Sequence, residues 1–555
     1  MSSLGEQTWF RSGDRSLEGW VHRPDDGHAV GTVVIAGPFA HEALVTYRAS
    51  RVLAVEAARR GFVAVRFSWS GTGDSEPAPE QADLATAWQE DLAAATELAR
   101  VSSGIEQVDA IGIRFGAAVV AAADIPLHKR VLWEPLGGRA FLRMQSSLLK
   151  MQLPVGFPLS ADRVELCGYT LDENAALSLR AVSDPRSAGS GDAMDASRVI
   201  IEDDPQASAD LFDRSPQDAR VPFGTIARIL DALDPMPAAA LPGWDPQREL
   251  VSVDLDSGRR IRQTLLTVGP DQLPGIFTEP VEGPSASTAA LFVTFANDPK
   301  GMGRIGRATA FRLGGGGIPT LRADRRGIGD GADPRDLGEG PTLVEAGGDD
   351  IAQFARWLAE RTGKAIVGIG LCSGAWLIAR AATATPFQRV IMVNNKAWTA
   401  SRRYWDRQLR VLSGLRRMGV VDSDIDVDTM SPTTAGFKRR LKLLLRFRSP
   451  YQIRYRIFSP LGLDEVPEML LRQMPEQTSI SVLLGPGGDQ QHWEASRGPV
   501  SMRRLIRRGR RIDIEYDPRT DHSLMSASGF ESYLELLDRE FGLRVPTAPA
   551  DATLA

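Results

Sequence analysis

Short apolar runs rich in β-branched residues alternate along this chain with longer stretches whose apolar residues recur every three or four positions. The runs Gly31–Ala36, Phe62–Phe67 and Arg130–Trp133 have the first pattern, and Leu84–Val101 has the second. Strands that alternate with helices of this length form βαβ units. The pattern therefore predicts an α/β fold in which helices cover both faces of a mostly parallel sheet.

The same pattern begins a second time after the proline-rich and alanine-rich stretch Pro235–Gly243. Residues 251–330 repeat a strand pair, a glycine loop, a helix, a strand and a Gly-x-Gly-Asp turn in the order of residues 8–74. A tandem duplication is the simplest explanation of such a repeat. We therefore predict two doubly wound, mostly parallel sheets, in domains that span residues 1–240 and 241–555.

One corner in the second half has the pattern of a nucleophile elbow. The apolar run Ala365–Ile369 meets Gly370-Leu-Cys-Ser-Gly374 and passes directly into a helical pattern. In such an elbow the central side chain stands on a strained strand-to-helix turn. A thiol there faces the N-terminus of a helix, which favours the reactive thiolate. Cys372 is thus a candidate nucleophile for acyl chemistry, and the alternative is a small buried cysteine in a tight crossing.

Composition narrows the class of protein. The 555 residues carry a net charge of -5, so no overall charge attracts the chain to nucleic acid. The chain has two cysteines, Cys167 and Cys372, which fit neither a disulfide framework nor a zinc site. We expect a cytoplasmic protein without metal, cofactor or integral membrane contact, since no apolar run approaches the length of a membrane helix.

Three motifs of the first half resemble the α/β-hydrolase superfamily. They are Ser70-Gly-Thr-Gly-Asp-Ser75, Gly112-Ile-Arg-Phe-Gly116 and Leu132-Trp-Glu-Pro-Leu-Gly-Gly-Arg139. The resemblance covers residues 8–150 and is strongest to the hydrolase-like proteins found with exopolysaccharide and exosortase systems. It implies an α/β-hydrolase-like fold for this half and, through the repeat, for the second.

The elbow of the first half carries Arg114, and a guanidinium group cannot act as a nucleophile. The fold also needs a histidine late in the domain, yet none occurs between His128 and His492. We therefore predict a degenerate, inactive first domain. Arg114 would either bind an anion or form a structural salt bridge.

The second half looks like a cysteine-elbow subgroup of the same superfamily over residues 255–545. The likeness rests on Gly370–Ala375, on Arg304-Ile-Gly306 and on Asp324–Asp330, and dienelactone-hydrolase-like enzymes also carry Gly-x-Cys-x-Gly. Two departures concern the oxyanion loop and specificity. Gly303 stands where the subgroup has histidine, and the residues Asn394-Asn-Lys396 replace Asn-Pro-Gln.

The resemblance assigns roles around the elbow. Cys372 would attack a carbonyl carbon, while the backbone N–H of Ser373 and the loop around Asn297 would bind the oxyanion. We expect Arg304 and Trp376 to contact the substrate. These residue types suit an ester or thioester substrate rather than a halide or epoxide, since dehalogenation and epoxide hydrolysis need aspartate at the elbow.

The order nucleophile, acid, base places the last two members of the triad. His522 follows the last predicted strand and is the expected base, with His492 as its rival. Asp489 follows the preceding strand and is the expected acid that orients the imidazole. Asp517 and Asp521 lie on the same loop as His522 and are second choices.

A basic insertion over about residues 395–478 interrupts the second sheet where α/β-hydrolases carry a lid. It includes Arg402, Arg403 and the run Lys438–Arg448. Such a lid would admit an anionic substrate, such as an acidic glycan or an acyl thioester, or rest peripherally on an anionic membrane surface. The alternative is a solvated helix face balanced by the acidic remainder.

Together these expectations describe an acyl hydrolase or acyltransferase of the esterase or thioesterase type. The resemblance suggests a small-molecule or glycan acyl substrate, such as an acyl decoration on a polysaccharide precursor. Aminopeptidase chemistry, another use of the fold, stays open. The rival is a non-catalytic protein that binds or scaffolds partners in a biosynthetic complex.

Overall fold

The computed structural model describes residues 4–79, 82–187, 199–214, 216, 219–254, 256–283, 285–294, 303–331, 345–399 and 449–543. Two large sheets, one in each half of the chain, carry the fold. Helices pack on both faces of each sheet, and separate clusters of buried apolar side chains fill the layers.

The first half contains a seven-stranded sheet with the order β1-β2-β5-β4-β6-β7-β10. Its first two strands run antiparallel to their neighbours, and the others are parallel. Two short pairs, β3 with β11 and β8 with β9, lie outside this sheet. The strands are β1 (Glu6–Ser12), β2 (Arg15–His22), β3 (His28–Ala29), β4 (Gly31–Ala36), β5 (Phe62–Phe67), β6 (Asp109–Ile113), β7 (Arg130–Trp133), β8 (Val164–Leu166), β9 (Tyr169–Leu171), β10 (Val199–Glu202) and β11 (Ala239–Ala240).

The second half contains a nine-stranded sheet with the order β12-β13-β14-β16-β15-β17-β18-β19-β20. Its first three strands are antiparallel, and the six from β16 onward are parallel to one another. The strands are β12 (Glu249–Val253), β13 (Arg260–Val268), β14 (Leu273–Pro280), β15 (Thr288–Val293), β16 (Thr320–Ala323), β17 (Ala365–Leu371), β18 (Arg389–Val393), β19 (Ser479–Leu484) and β20 (Ile512–Tyr516).

The helices connect the parallel strands and cover the sheets. They are α1 (His41–Arg59), α2 (Leu84–Ser103), α3 (Phe115–Ala122), α4 (Gly138–Gln152), α5 (Glu173–Ala181), α6 (Pro205–Leu211), α7 (Phe223–Asp231), α8 (Ile305–Gly315), α9 (Glu345–Thr362), α10 (Ser373–Ala381), α11 (Tyr451–Ile453), α12 (Pro467–Leu471), α13 (Gly488–Ala495), α14 (Gly498–Ile506) and α15 (Ala527–Phe541). A π-helical turn, Arg454–Phe458, follows α11. Among the described residues, none of these helices is long and apolar enough to cross a bilayer.

The predicted α/β fold class is confirmed, because both sheets are mostly parallel and have the same crossover. In each half the strand after the first crossover helix inserts beside the antiparallel strands, so β5 lies between β2 and β4 and β16 lies between β14 and β15. The predicted domain boundary falls between β11 and β12 and stays a prediction. Most of the predicted lid, residues 400–448, lies outside the described residues.

The predicted strand pair over residues 250–268 is present as the antiparallel pair of β12 and β13. Its match to β1 and β2 is off by one strand, because β14 is the strand that borders β16. The counterpart of β1 and β2 is therefore β13 with β14. Two prolines and a glycine in β14, Pro274, Gly275 and Pro280, conceal this strand, because both residue types are depleted in strands.

The two halves meet through reciprocal ion pairs. Arg66 of β5 bonds Asp330 in the second half, and Arg322 of β16 bonds Asp74 in the first. All four side chains are nearly buried, and each aspartate belongs to a Gly-x-Gly-Asp turn. The repeat that the sequence shows is thus matched by a repeated contact across the interface.

Candidate active site

The elbow that follows β17 holds Cys372 in a strained backbone conformation. Cys372 has φ 53° and ψ −118°, a region that residues other than glycine rarely occupy. Its N–H donates to the carbonyl of Val393 at 2.9 Å, which joins the turn to β18. Helix α10 begins at the next residue, so the thiol lies at a helix N-terminus.

The two glycines of the elbow are required because neither position has room for a side chain. A Cβ at Gly370 would lie 2.4 Å from the Cα of Ala375, and one at Gly374 would lie 2.3 Å from the carbonyl oxygen of Val293. No side chain fits against backbone at such distances. The spacing Gly-x-Cys-x-Gly is therefore a packing requirement of the turn, and it leaves the central side chain standing clear of the sheet.

His522 and Asp489 approach Cys372 from the ends of two further strands. Asp489 lies in the first turn of α13, directly after β19, and its side chain is 3% exposed. Its Oδ1 lies 2.7 Å from Nδ1 of His522, on the loop after β20. His522 lies close enough to Cys372 to lower the pKa of its thiol. The structure thus brings together the three residues that the sequence named as a triad.

Burial and charge act together on the thiol and the imidazole. Burial alone would raise the pKa of Cys372, but the charge and hydrogen bond of His522 outweigh it and lower that pKa below its ordinary value. Burial opposes the charged imidazole, yet Asp489 and the thiolate raise the pKa of His522 to about 10. Each group thus favours the charged form of the other.

Lys396 is a second cation at this site. Its Nζ lies 3.8 Å from Oδ1 of Asp489. Its charge lowers the pKa of Cys372 and opposes protonation of His522. In the sequence Lys396 was noted only as a departure from the related motif, so its part in the electrostatics of the thiol was missed.

Asn394 holds the loops of the base and the acid together. Its Nδ2 donates to the carbonyls of Asp521 and His522 at 2.8 and 2.9 Å, and its Oδ1 accepts from the N–H of Gly485 at 2.8 Å. Asn394 is fully buried and has φ 49°. The signal for this positioning residue was its place directly after a parallel strand, at the edge where the site forms.

Asp521 shapes the loop that carries the base. Its carboxylate accepts bonds from the N–H groups of Met525 and Ser526 at 2.8 and 2.9 Å and from the hydroxyl of Ser526. These bonds close the turn after His522 and occupy the carboxylate. Asp517 is likewise occupied, since it pairs with Arg519 at 2.8 Å.

The first half of the chain also holds this loop. Glu165 of the β8–β9 hairpin accepts the N–H of Ala527 at 2.9 Å, and Gly168 donates to the carbonyl of Met525 at 2.9 Å. Glu165 is 7% exposed. The hairpin and the loop are far apart in sequence, and nothing in the local pattern of either segment marks its partner. The sequence therefore gave no signal for this contact.

The other predicted site residues have mixed positions. Ser373 begins α10 beside the thiol and is 5% exposed, so its N–H is at the helix start, whereas Asn297 lies outside the described residues.

Trp376 is buried in the core, and its indole N–H donates to the carbonyl of Thr399 at 2.9 Å, which is a structural rather than a substrate-facing position. His492 pairs with Glu465 at 2.7 Å instead of Asp489.

No described contact places Arg304 beside the Cys372 thiol. It precedes α8 and lines a cavity between the halves. The prediction that it contacts the substrate therefore stays a prediction about that cavity.

The elbow of the first half has the same backbone with a different side chain. Arg114 has φ 56° and ψ −120°, close to the values of Cys372. Its Nε donates to Glu42 at 2.6 Å, and its guanidinium lies 4.7 Å from the ring centre of Phe212. Of the two roles considered for Arg114, this geometry is that of a structural salt bridge.

Comparison with known proteins finds solved structures with low sequence identity and low TM-scores to this chain. No protein-family model matches the sequence, and no curated protein matches it. Among solved structures, the dienelactone hydrolase of Anabaena variabilis is 12% identical, with 53% of this chain and 98% of that chain covered and a TM-score of 0.31. A carboxyl esterase of Bacillus coagulans is 13% identical, with coverage of 53% and 98% and a TM-score of 0.32.

A third similar structure is the acylaminoacyl peptidase of Pyrococcus horikoshii. It is 12% identical, with 57% of this chain covered and a TM-score of 0.32. The chain spans 46% of the length of that peptidase. At these identities and TM-scores, the geometry of the chain's own site is the basis for any statement about its chemistry.

Proposed function

We propose that this protein is an acyl hydrolase or acyltransferase that acts on ester or thioester bonds through Cys372, His522 and Asp489. One observation carries the proposal. A cysteine on a strained elbow at a helix N-terminus has its pKa lowered by an imidazole whose Nδ1 lies 2.7 Å from a buried carboxylate. This is the arrangement of nucleophile, base and orienting acid that covalent acyl transfer requires.

The chemistry follows from the charges of the pair. The Cys372 thiolate attacks the acyl carbon, and the carbonyl electrons move onto oxygen, where the N–H of Ser373 is the proposed donor. As the tetrahedral intermediate collapses, the bond to the leaving alkoxide or thiolate breaks, and imidazolium His522 gives its proton to that group. Neutral His522 then takes a proton from water or an acceptor hydroxyl, which attacks the thioester and releases the thiolate.

Asp489 has a positioning and an electrostatic part in this scheme. Its bond to Nδ1 of His522 fixes the ring so that Nε2 is the atom that meets the thiol. Its negative charge raises the pKa of the imidazole and so stabilises the imidazolium that must donate the proton.

The test is turnover of p-nitrophenyl acetate and of a short acyl thioester. We expect measurable turnover by the wild-type chain and none above background by Cys372→Ala. Arg114→Ala, the same truncation at the elbow of the first half, should retain the rate if the protein folds. Turnover that persists in Cys372→Ala would contradict the proposal.

The rival function, a non-catalytic protein in a biosynthetic complex, is supported for the first half by the ion pair that occupies its elbow. A wild-type chain that turns over neither ester nor thioester, and forms no acyl adduct, would favour that rival for the whole protein. The substrate class of glycan acyl groups and a cytoplasmic location rest on the sequence resemblance and on the two free cysteines.

A further inference from the structure

A cavity of about 910 Å³ lies between the two halves of the chain. Its walls come from both halves, with Phe39 and Tyr169 on one side and Phe311 and Leu534 on the other. It also borders the loop after His522 through residues 524–526. The volume is in the range of sites that take a small organic ligand.

Arg304 and Arg307 line this cavity, and neither forms an ion pair with a described carboxylate. The Nε atoms of both are buried, and within the described part of the chain neither has a hydrogen-bond partner. Arg307 is 8% exposed, and its guanidinium lies 3.9 Å from the ring centre of Phe311. Burying a cation without a hydrogen bond costs free energy of folding. Such a cation therefore indicates a position where a bound group supplies the missing hydrogen-bond partner.

The repeat of the fold provides an internal comparison. The spacing of Arg51, Arg66 and Asp74 in the first half is that of Arg307, Arg322 and Asp330 in the second. The buried Arg51 therefore corresponds to Arg307, and it forms an ion pair and two hydrogen bonds across the interface. Its Nε lies 3.1 Å from Oδ1 of Asp330, and its other nitrogens donate to the carbonyls of Gly329 and Asp330 at 2.7 and 3.0 Å.

The corresponding bonds are missing around Arg307. Asp74, the counterpart of Asp330, pairs with Arg322. Burial lowers the pKa of Arg307 to about 10, with Arg304 and Arg322 adding to that effect and Asp74 and Glu76 opposing it. The neighbouring carboxylates thus fail to offset the burial of this cation.

Two carboxylates on the cavity wall, Glu76 and Asp256, have bonds of their own. Glu76 accepts from the N–H of Ser16 at 2.8 Å and from the hydroxyl of Ser252, and Asp256 pairs with Arg312 at 3.0 Å. A planar guanidinium without a partner matches the geometry of a carboxylate or a phosphate. The aromatic and aliphatic side chains around it match an apolar chain.

We propose that this cavity is a binding site for an anionic amphiphile, a carboxylate or phosphate monoester attached to an apolar chain. Arg307, with Arg304 beside it, receives the anionic group. Phe311 and Leu534 contact the apolar part. The site does not depend on acyl chemistry at Cys372.

The test is calorimetric titration with octyl phosphate, octan-1-ol and inorganic phosphate as probes, in the full-length Cys372→Ala chain so that turnover has no influence. We expect saturable binding of octyl phosphate at one site, at least tenfold tighter than either other probe. Arg307→Gln should weaken octyl phosphate binding at least tenfold, because a charge-assisted bond is lost. Arg163→Gln, at an exposed arginine of the same cavity, is the matched control and should change it less than twofold.

Thermal melting without ligand separates a ligand site from a structural role. Because Arg307 makes no hydrogen bond to any described residue, Arg307→Gln should melt no lower than its parent, while the rise in Tm caused by octyl phosphate should disappear. Arg307→Lys, which keeps the charge but loses the planar fork, should bind more weakly than arginine and better than glutamine. Equal binding by Arg307→Gln, equal binding of octan-1-ol, or no saturable binding of octyl phosphate would each overturn the proposal.

Discussion

Replacement of His522 by alanine should change the reactivity of the elbow thiol in a way that needs no substrate. The imidazolium is the main group that lowers the pKa of Cys372, and burial alone would raise it. His522→Ala should therefore raise the pKa of the thiol. The variant should keep the loop after β20, because the bonds that Nδ2 of Asn394 donates to the carbonyls of Asp521 and His522 do not involve the imidazole.

The size of the effect follows from the charge that is removed. Two charges about 4 Å apart interact by roughly 4 kcal/mol at an effective dielectric constant of about 20, which is a factor of about 1,000 in an ionisation equilibrium. The thiolate fraction at pH 7 would fall by up to that factor. Since a more basic thiolate is more nucleophilic, with a Brønsted slope near 0.45, alkylation would slow by up to roughly 50-fold.

The assay is the rate of iodoacetamide alkylation of the folded protein as a function of pH. Cys372 and Cys167 are the two cysteines, and Cys167 is fully buried with a pKa that burial raises to about 12, so the folded chain reports on one thiol. His128→Ala is the matched control, since His128 also pairs with an aspartate, Asp109, at 2.9 Å. Identical profiles for wild type and His522→Ala would refute the ion pair.

Three further results are expected. Gly374→Ala should lower the free energy of unfolding by about 3 kcal/mol or more in denaturant unfolding, because the new Cβ would lie 2.3 Å from backbone. Gly224→Ala, in helix α7 where a Cβ has room, should not. Glu165→Gln should lower kcat without loss of fold, because the loop that carries the base loses a charged acceptor 2.9 Å from Ala527. The raised pKa of His522 keeps the imidazolium charged below about pH 10, so kcat/KM should fall above that pH.

The site could be predicted from sequence where local constraints reveal it. Gly370 and Gly374 mark the elbow because the backbone admits no side chain there, and this places Cys372. His522 and Asp489 follow from their positions after β20 and β19 in a parallel sheet, since the carboxyl ends of parallel strands share one edge.

The sequence could not predict contacts that depend on how distant segments pack. The sequence around Glu165 gave no sign that this residue would hold a loop in the other half. That Arg307 lacks the partners of a buried arginine is evident only from comparison with Arg51, its counterpart in the first half. Trp376 was expected to contact the substrate because it adjoins the elbow, but on helix α10 its side chain faces the core. A position one turn after a nucleophile does not decide which face of the helix a side chain takes.

The most direct test of the central claim is to trap the covalent intermediate. Wild-type protein mixed with p-nitrophenyl acetate and quenched in acid within the first turnover should gain the mass of one acetyl group, and peptide mapping should place it on Cys372. His522→Ala and Cys372→Ala should gain none under the same conditions. An acetyl group found on another residue, or the same gain in Cys372→Ala, would contradict a cysteine nucleophile.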